Sequence, residues 1–97
     1  MSFKLIVKPE AVAEAAAVFA YYARISPRLA DRFAKELDAC YRFIERDPSA
    51  LPKRKRDYRH MMVRRFRYRV VYKIVGNDVV VYQVRHTSRR TSRTFGP

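Results

Sequence analysis

Phe3, Leu5 and Val7 alternate with Lys4, Ile6 and Lys8 before Pro9. That spacing of two predicts a short first strand. From Glu10 the period lengthens. Val12, Ala15, Ala16, Phe19, Tyr22 and Ile25 recur at intervals of three and four, which puts one apolar stripe on a helix over about 10–25. Ser26-Pro27 then stops this helix and starts another, with serine as N-cap and proline at the first helical position. Leu29, Phe33, Leu37, Cys40, Tyr41 and Ile44 form the second stripe, closed near residue 46 by Asp47-Pro48. So short a link predicts an antiparallel helical hairpin.

Beyond the basic loop Leu51–Asp57 the period returns to about two, in a stretch dominated by Tyr, Val, Met, Phe and Arg. Strands are expected over 58–66, 67–75 and 79–86, with Gly76-Asn77-Asp78 turning the last pair. Ninety-seven residues suffice for one core, so the reading is a single α+β domain over 1–97. Its order is an N-terminal strand, an antiparallel helical hairpin and three antiparallel strands forming one sheet, followed by a loosely structured basic tail from about 87. Within 67–75, Tyr68, Val70, Tyr72 and Ile74 share the face expected to pack on the hairpin. The same parity, extended backward without a bulge, gathers Arg65, Arg67 and Arg69 into a basic stripe on the opposite face.

Charge sharpens this picture. Residues 1–52 hold 8 Lys and Arg against 7 Asp and Glu, whereas residues 53–97 hold 14 against 2, so the C-terminal half carries nearly all of the +13. Such asymmetry marks the footprint of a polyanion, because each cation near a phosphate releases condensed counterions. RNA, DNA and an acidic protein all remain open as partners.

Other chemistries drop out. The longest apolar run, Ala15–Ala23, has nine residues and two tyrosines, far short of the roughly 20 that a bilayer crossing needs. Lys8, Pro9 and Glu10 stand where a secretory peptide would be apolar, and the lone Cys40 suits a reducing compartment; the cytoplasm is the expected location. The only glycines, Gly76 and Gly96, make no phosphate-cradling loop. His60 and His86 lack clustered carboxylates or cysteines, so neither a metal nor a cofactor is expected. Cys40 reads as a small buried hydrophobe on its helix stripe.

What remains possible is metal-free attack of an RNA 2′-hydroxyl on its neighbouring phosphate, which needs a base, an acid and positive charge on the phosphorane. Arg69, Arg85 and Arg89 suit the charge role, and His86 and His60 are the ready proton-transfer groups. Tyr72 and Tyr82 read as packing residues able to stack on a base.

AYYARISPRLADRFAKEL on the hairpin, VRRFRYRVVYKIVGNDVVVYQVRH across the last two strands, and HTSRR at 86–90 together resemble the RelE/ParE superfamily of toxins from bacterial type II toxin-antitoxin systems. The resemblance implies a growth-arresting toxin held inactive by a cognate antitoxin. In the RelE-like branch, which cleaves ribosome-bound mRNA, it implies Arg69 and Arg89 on the phosphate, with His86 as a proton-transfer group. The tyrosine of that branch falls on Phe95, and its lysines fall near His60 and Met62. Arg64, Arg65, Arg67, Arg85, Arg90 and Arg93 are the further candidates for nucleic-acid or target contact. The ParE-like branch, which poisons DNA gyrase, is favoured by the long hairpin and by His86, Arg89 and Arg90 after the last strand. Outside the superfamily, a non-toxic basic nucleic-acid-binding module is the third reading.

Overall fold

The structure, a computed structural model, describes residues 3–88. Strand β1 (Lys4–Val7) leads into helix α1 (Pro9–Ile25), and helix α2 (Pro27–Arg46) follows directly. A short 3-10 turn, Pro48–Ala50, and a basic loop connect to β2 (Arg59–Met62), β3 (Tyr68–Val75) and β4 (Asp78–His86). The sheet order is β1-β4-β3-β2, with β1 parallel to β4 and the other neighbours antiparallel. The expected α+β order is therefore the observed one.

Local chemistry accounts for the elements. Ser26 ends α1 by donating its N–H to the Tyr22 carbonyl and starts α2 by accepting from the Leu29 N–H with its hydroxyl, at 2.8 and 3.4 Å. With Pro27 at the first helical position, this single residue turns the chain back on itself. Gly76 takes φ 61° in the β3–β4 turn, a left-handed conformation that costs glycine little. α2 buries Phe33, Leu37, Cys40 and Ile44 against Val70, Tyr72, Val79, Val81 and Val84 of the sheet.

Two expectations need correction. The strand placed over 58–66 ends at Met62, because Val63–Arg67 folds as a tight turn closed by Val63 N–H to Tyr68 O (2.8 Å) and Phe66 N–H to Val63 O (3.1 Å). Arg65 sits there at φ 69°, and Val63 and Phe66 point into the core. The stripe assigned to α1 holds only in part, with Ala15 and Tyr22 packed against the core. Ala11 and Val18 are the helix's buried residues, while Val12, Phe19 and Ile25 are exposed. An alanine-rich helix is apolar around most of its circumference, so periodicity alone does not select the packed face.

α1 also supports the sheet where β1 runs out. β1 follows β4 only as far as Val81, and beyond that point Glu14 accepts a hydrogen bond from the Val84 N–H at 2.9 Å. Glu14→Ala removes this charge-assisted acceptor and is expected to cost about 1–3 kcal/mol in urea denaturation, with Glu14→Gln recovering about half. Equal losses in both variants would show that the carboxylate charge, rather than the hydrogen bond, is what matters.

Candidate functional site

The hairpin covers one face of the sheet and leaves the other open. Register fixes what lies there. Val70, Tyr72, Val81 and Val84 face the helices, so their strand neighbours Arg69, Val71, Lys73, Val80 and Arg85 face outward. On β2, His60 opposite Val71 and Met62 opposite Arg69 share this outer face.

A β-bulge shapes its centre. Val71 pairs with Gln83, yet the next residue, Tyr72, pairs with Val81, so Tyr82 is the extra residue on β4. The Tyr82 ring meets Tyr58 edge to face at 5.2 Å, Lys73 Nζ lies over Tyr58 at 5.4 Å and Lys8 Nζ lies near Tyr82 at 6.0 Å. These groups stand around a floor of buried Val71 and Val80.

Arg69 and Arg85 face each other directly across β3 and β4. Burial, then Arg85, then Arg54 lower the Arg69 pKa from its ordinary value. Arg69 Nε, Arg85 Nε and Gln83 Oε1 are all covered and lack a hydrogen-bond partner among the described residues.

The sheet thus joins some of the sequence candidates and separates others. Arg69 and Arg85 come together. His86 does not join them: it pairs with Tyr68 on the helix-facing side, with its ring 5.0 Å from the Tyr68 ring and Nδ1 accepting from the Ser88 N–H at 3.0 Å. The anticipated stripe of Arg65, Arg67 and Arg69 is broken by the 63–67 turn. Arg65 instead lines a surface hollow with Arg28, Arg32, Lys35, Asp31 and Glu36, while Arg64 and Arg67 are exposed on the turn. Arg89, Arg90, Arg93 and Phe95 lie outside the described residues.

Strand parity already puts Lys73 on the face of Arg69, and two groups at the site escaped the sequence reading. Gln83 was hidden by the bulge, and Arg54 by the loop that carries it. A second, apolar surface lies on the hairpin, where Ala15, Ala16, Phe19, Phe33, Leu37 and Tyr41 line a groove of about 300 Å³. Among the described residues no group of three or more His, Cys, Asp or Glu could hold a metal ion, and no helix is long and apolar enough to cross a membrane.

Comparison with known proteins places this arrangement. A family model described as the ParE toxin of the type II toxin-antitoxin system parDE matches residues 5–91. Toxin ParE2 of Mycobacterium tuberculosis, matched in two strains, is 35% identical over 69 residues, covering 70% of this chain and 66% of the relative. The chain thus spans just under two thirds of the curated relatives it matches. In fold it is similar to a chain of the chromosomal ParDE system from P. aeruginosa, with a TM-score of 0.78 and 13% identity over 90% of this chain and 98% of that one. A YoeB dimer structure from Staphylococcus aureus shares the fold more distantly, with a TM-score of 0.58 and 13% identity over 89% and 98% of the two chains.

Proposed function

We propose, from the premise that this chain belongs to the ParE toxin family of type II toxin-antitoxin systems, that it arrests growth in the cytoplasm by binding DNA gyrase and is held inactive by a cognate antitoxin. The observation that carries the gyrase reading over mRNA cleavage is the separation of Arg69 from His86 by the thickness of the sheet. General acid-base catalysis needs the proton-transfer group within hydrogen-bond reach of the reacting atoms. On this reading the basic face engages the target as a binding surface.

The apolar groove between α1 and α2 suits the antitoxin. Exposed Phe19, with Ala15, Ala16 and Leu37 beneath it, offers a seat for apolar side chains of a helical or extended segment. Acidic residues in the same segment would answer the surrounding positive charge.

The second reading, a ribosome-dependent mRNA endonuclease, rests on His60, which shares the open face with Arg69. One induction experiment separates the readings. Brief expression without antitoxin is expected to halt growth and relax plasmid DNA, leaving transcript 5′ ends unchanged. New 5′ ends inside translated codons, lost in an Arg69→Ala, Arg89→Ala double variant, would replace the gyrase reading with cleavage. Normal growth on induction would leave only a non-toxic nucleic-acid-binding module.

A further inference from the structure

The N-terminal half of α2 carries a row of charge on the side turned away from its buried residues. Arg28, Arg32 and Lys35 recur at intervals of four and three with Asp31 and Glu36 beside them, and Arg65 reaches the same hollow from the 63–67 turn. The hollow measures about 560 Å³, and all of these residues except Glu36 are exposed. Asp31 with Lys35 and Arg32 with Glu36 stand at the spacing of helix ion pairs. Yet the ion pairs of the described residues lie elsewhere, between Arg42 and both Asp38 and Glu45 and between Lys53 and Asp57. Four cations and two anions therefore share one concave surface without neutralising one another by contact. Arg65 is held there at φ 69°, a conformation that glycine or asparagine would take at less cost. No acidic residue stands in the first turn of α2 to answer its dipole, which adds to the positive field.

We propose that this hollow is a docking surface for an acidic protein segment, separate from both the open face and the apolar groove. The mixed lining selects the class of partner. A nucleic-acid backbone is uniformly negative and would bring phosphates against Asp31 and Glu36 as well as against the cations. A peptide with spaced carboxylates can meet the arginine forks and still offer its own N–H groups to those two acids. A second copy of this chain, at net charge +13, would bring like fields together. Position separates the hollow from the groove. At about 100° per residue, Phe33, Leu37 and Tyr41 of the groove lie roughly half a turn around α2 from Arg28, Arg32 and Lys35. A segment seated in the groove leaves the hollow uncovered, so both surfaces can be occupied at once. The proposal rests on neither the gyrase reading nor the antitoxin reading.

The test measures fluorescence anisotropy of two labelled probes with the purified full chain: a short peptide of alternating Glu and Ala, and a single-stranded oligodeoxynucleotide of equal formal charge. The peptide is expected to bind saturably. Arg32→Gln and Arg65→Gln should each weaken it about two- to fivefold, the range of exposed charge pairs, and together about tenfold. Lys4→Gln, on β1, lowers net charge equally and should leave peptide binding unchanged, as should Phe19→Ser in the groove and Arg85→Gln on the open face. Oligonucleotide binding should fall no further in the hollow variants than in Lys4→Gln. Arg65→Gly should bind the peptide as weakly as Arg65→Gln while unfolding no earlier than the parent chain, which separates the side chain's contact from the conformation of the turn. No saturable peptide binding, or equal losses in Lys4→Gln and Arg65→Gln, would reduce the hollow to general charge and overturn the proposal. A loss in Phe19→Ser or Arg85→Gln matching that in Arg65→Gln would place the peptide in the groove or on the open face, and a matching loss of oligonucleotide would make the hollow a polyanion site; each of these results overturns it as well.

Discussion

Phe33→Ala is expected to destabilise the protein by about 3–5 kcal/mol, a large share of the roughly 5–15 kcal/mol that holds a domain folded. Phe33 is 1% exposed, and its ring stands 5.7 Å from Tyr22, 5.3 Å from Phe66 and 5.7 Å from Tyr68. These partners come from α1, the 63–67 turn and β3, so one ring joins three segments that share no other aromatic centre on α2. Truncation removes the buried area, three edge-to-face or tilted ring contacts, and leaves a cavity that the surrounding rings are too stiff to fill. Phe33→Leu keeps much of the volume and should cost less than half as much. Chemical denaturation with matched slopes measures both. A loss under about 1 kcal/mol for the alanine variant would mean that the hairpin and sheet are held by the valine layer alone.

The second large effect is alkaline unfolding. Burial pushes the Cys40 thiol up to about 11 from an ordinary 9.0, and the Tyr72 and Tyr41 hydroxyls up to about 12 from 10.0. Each group must stay protonated to remain where it is. Cys40 Sγ donates to the Met62 carbonyl at 3.3 Å, and the Tyr72 hydroxyl donates to the Pro48 carbonyl at 2.8 Å. The unfolded chain ionises at the ordinary values while the fold resists. Stability from these groups is therefore complete below about pH 9 and is lost as pH rises through the raised values toward 12. Cys40 and Tyr72, at 3% and 0% exposure, contribute about 3 kcal/mol each across that window. Near-ultraviolet circular dichroism should disappear together with ionisation of the buried Tyr72 and Tyr41 in one transition. Tyr72→Phe should lower stability at neutral pH by stranding the Pro48 carbonyl, yet flatten the alkaline decline. Ionisation of Tyr72 and Tyr41 at the ordinary value with the fold intact would contradict this account.

The sequence made the fold legible wherever backbone chemistry is local. Ser26-Pro27 announces the reversal between the helices, Gly76 the reversal between strands, and the alternation from Tyr68 to Tyr72 the face against the hairpin. It failed where several registers satisfy the same pattern. Val63 and Phe66 are apolar and look like strand residues, but they are buried from a turn in which Arg65 takes a left-handed conformation that nothing in its identity signals. The candidate site inherits that difficulty. Arg69 and Arg85 were readable as individual cations, but their opposition depends on where the two strands pair. Tyr82 and Gln83 reach the same surface through a bulge, which shifts every side chain beyond it by one position.

The parallel pairing of β1 with β4 has a consequence for how the molecule comes into being. Lys4–Val7 are synthesised about seventy residues before their partners, Asp78–Val81. The hairpin can collapse during synthesis from neighbouring contacts, whereas β1 stays unpaired until β4 has been made. Closing so long a loop costs chain entropy before the β1–β4 contacts reward it. The open face therefore does not exist on the nascent chain before β4 emerges, and a partner translated nearby has until then to arrive before that face is assembled.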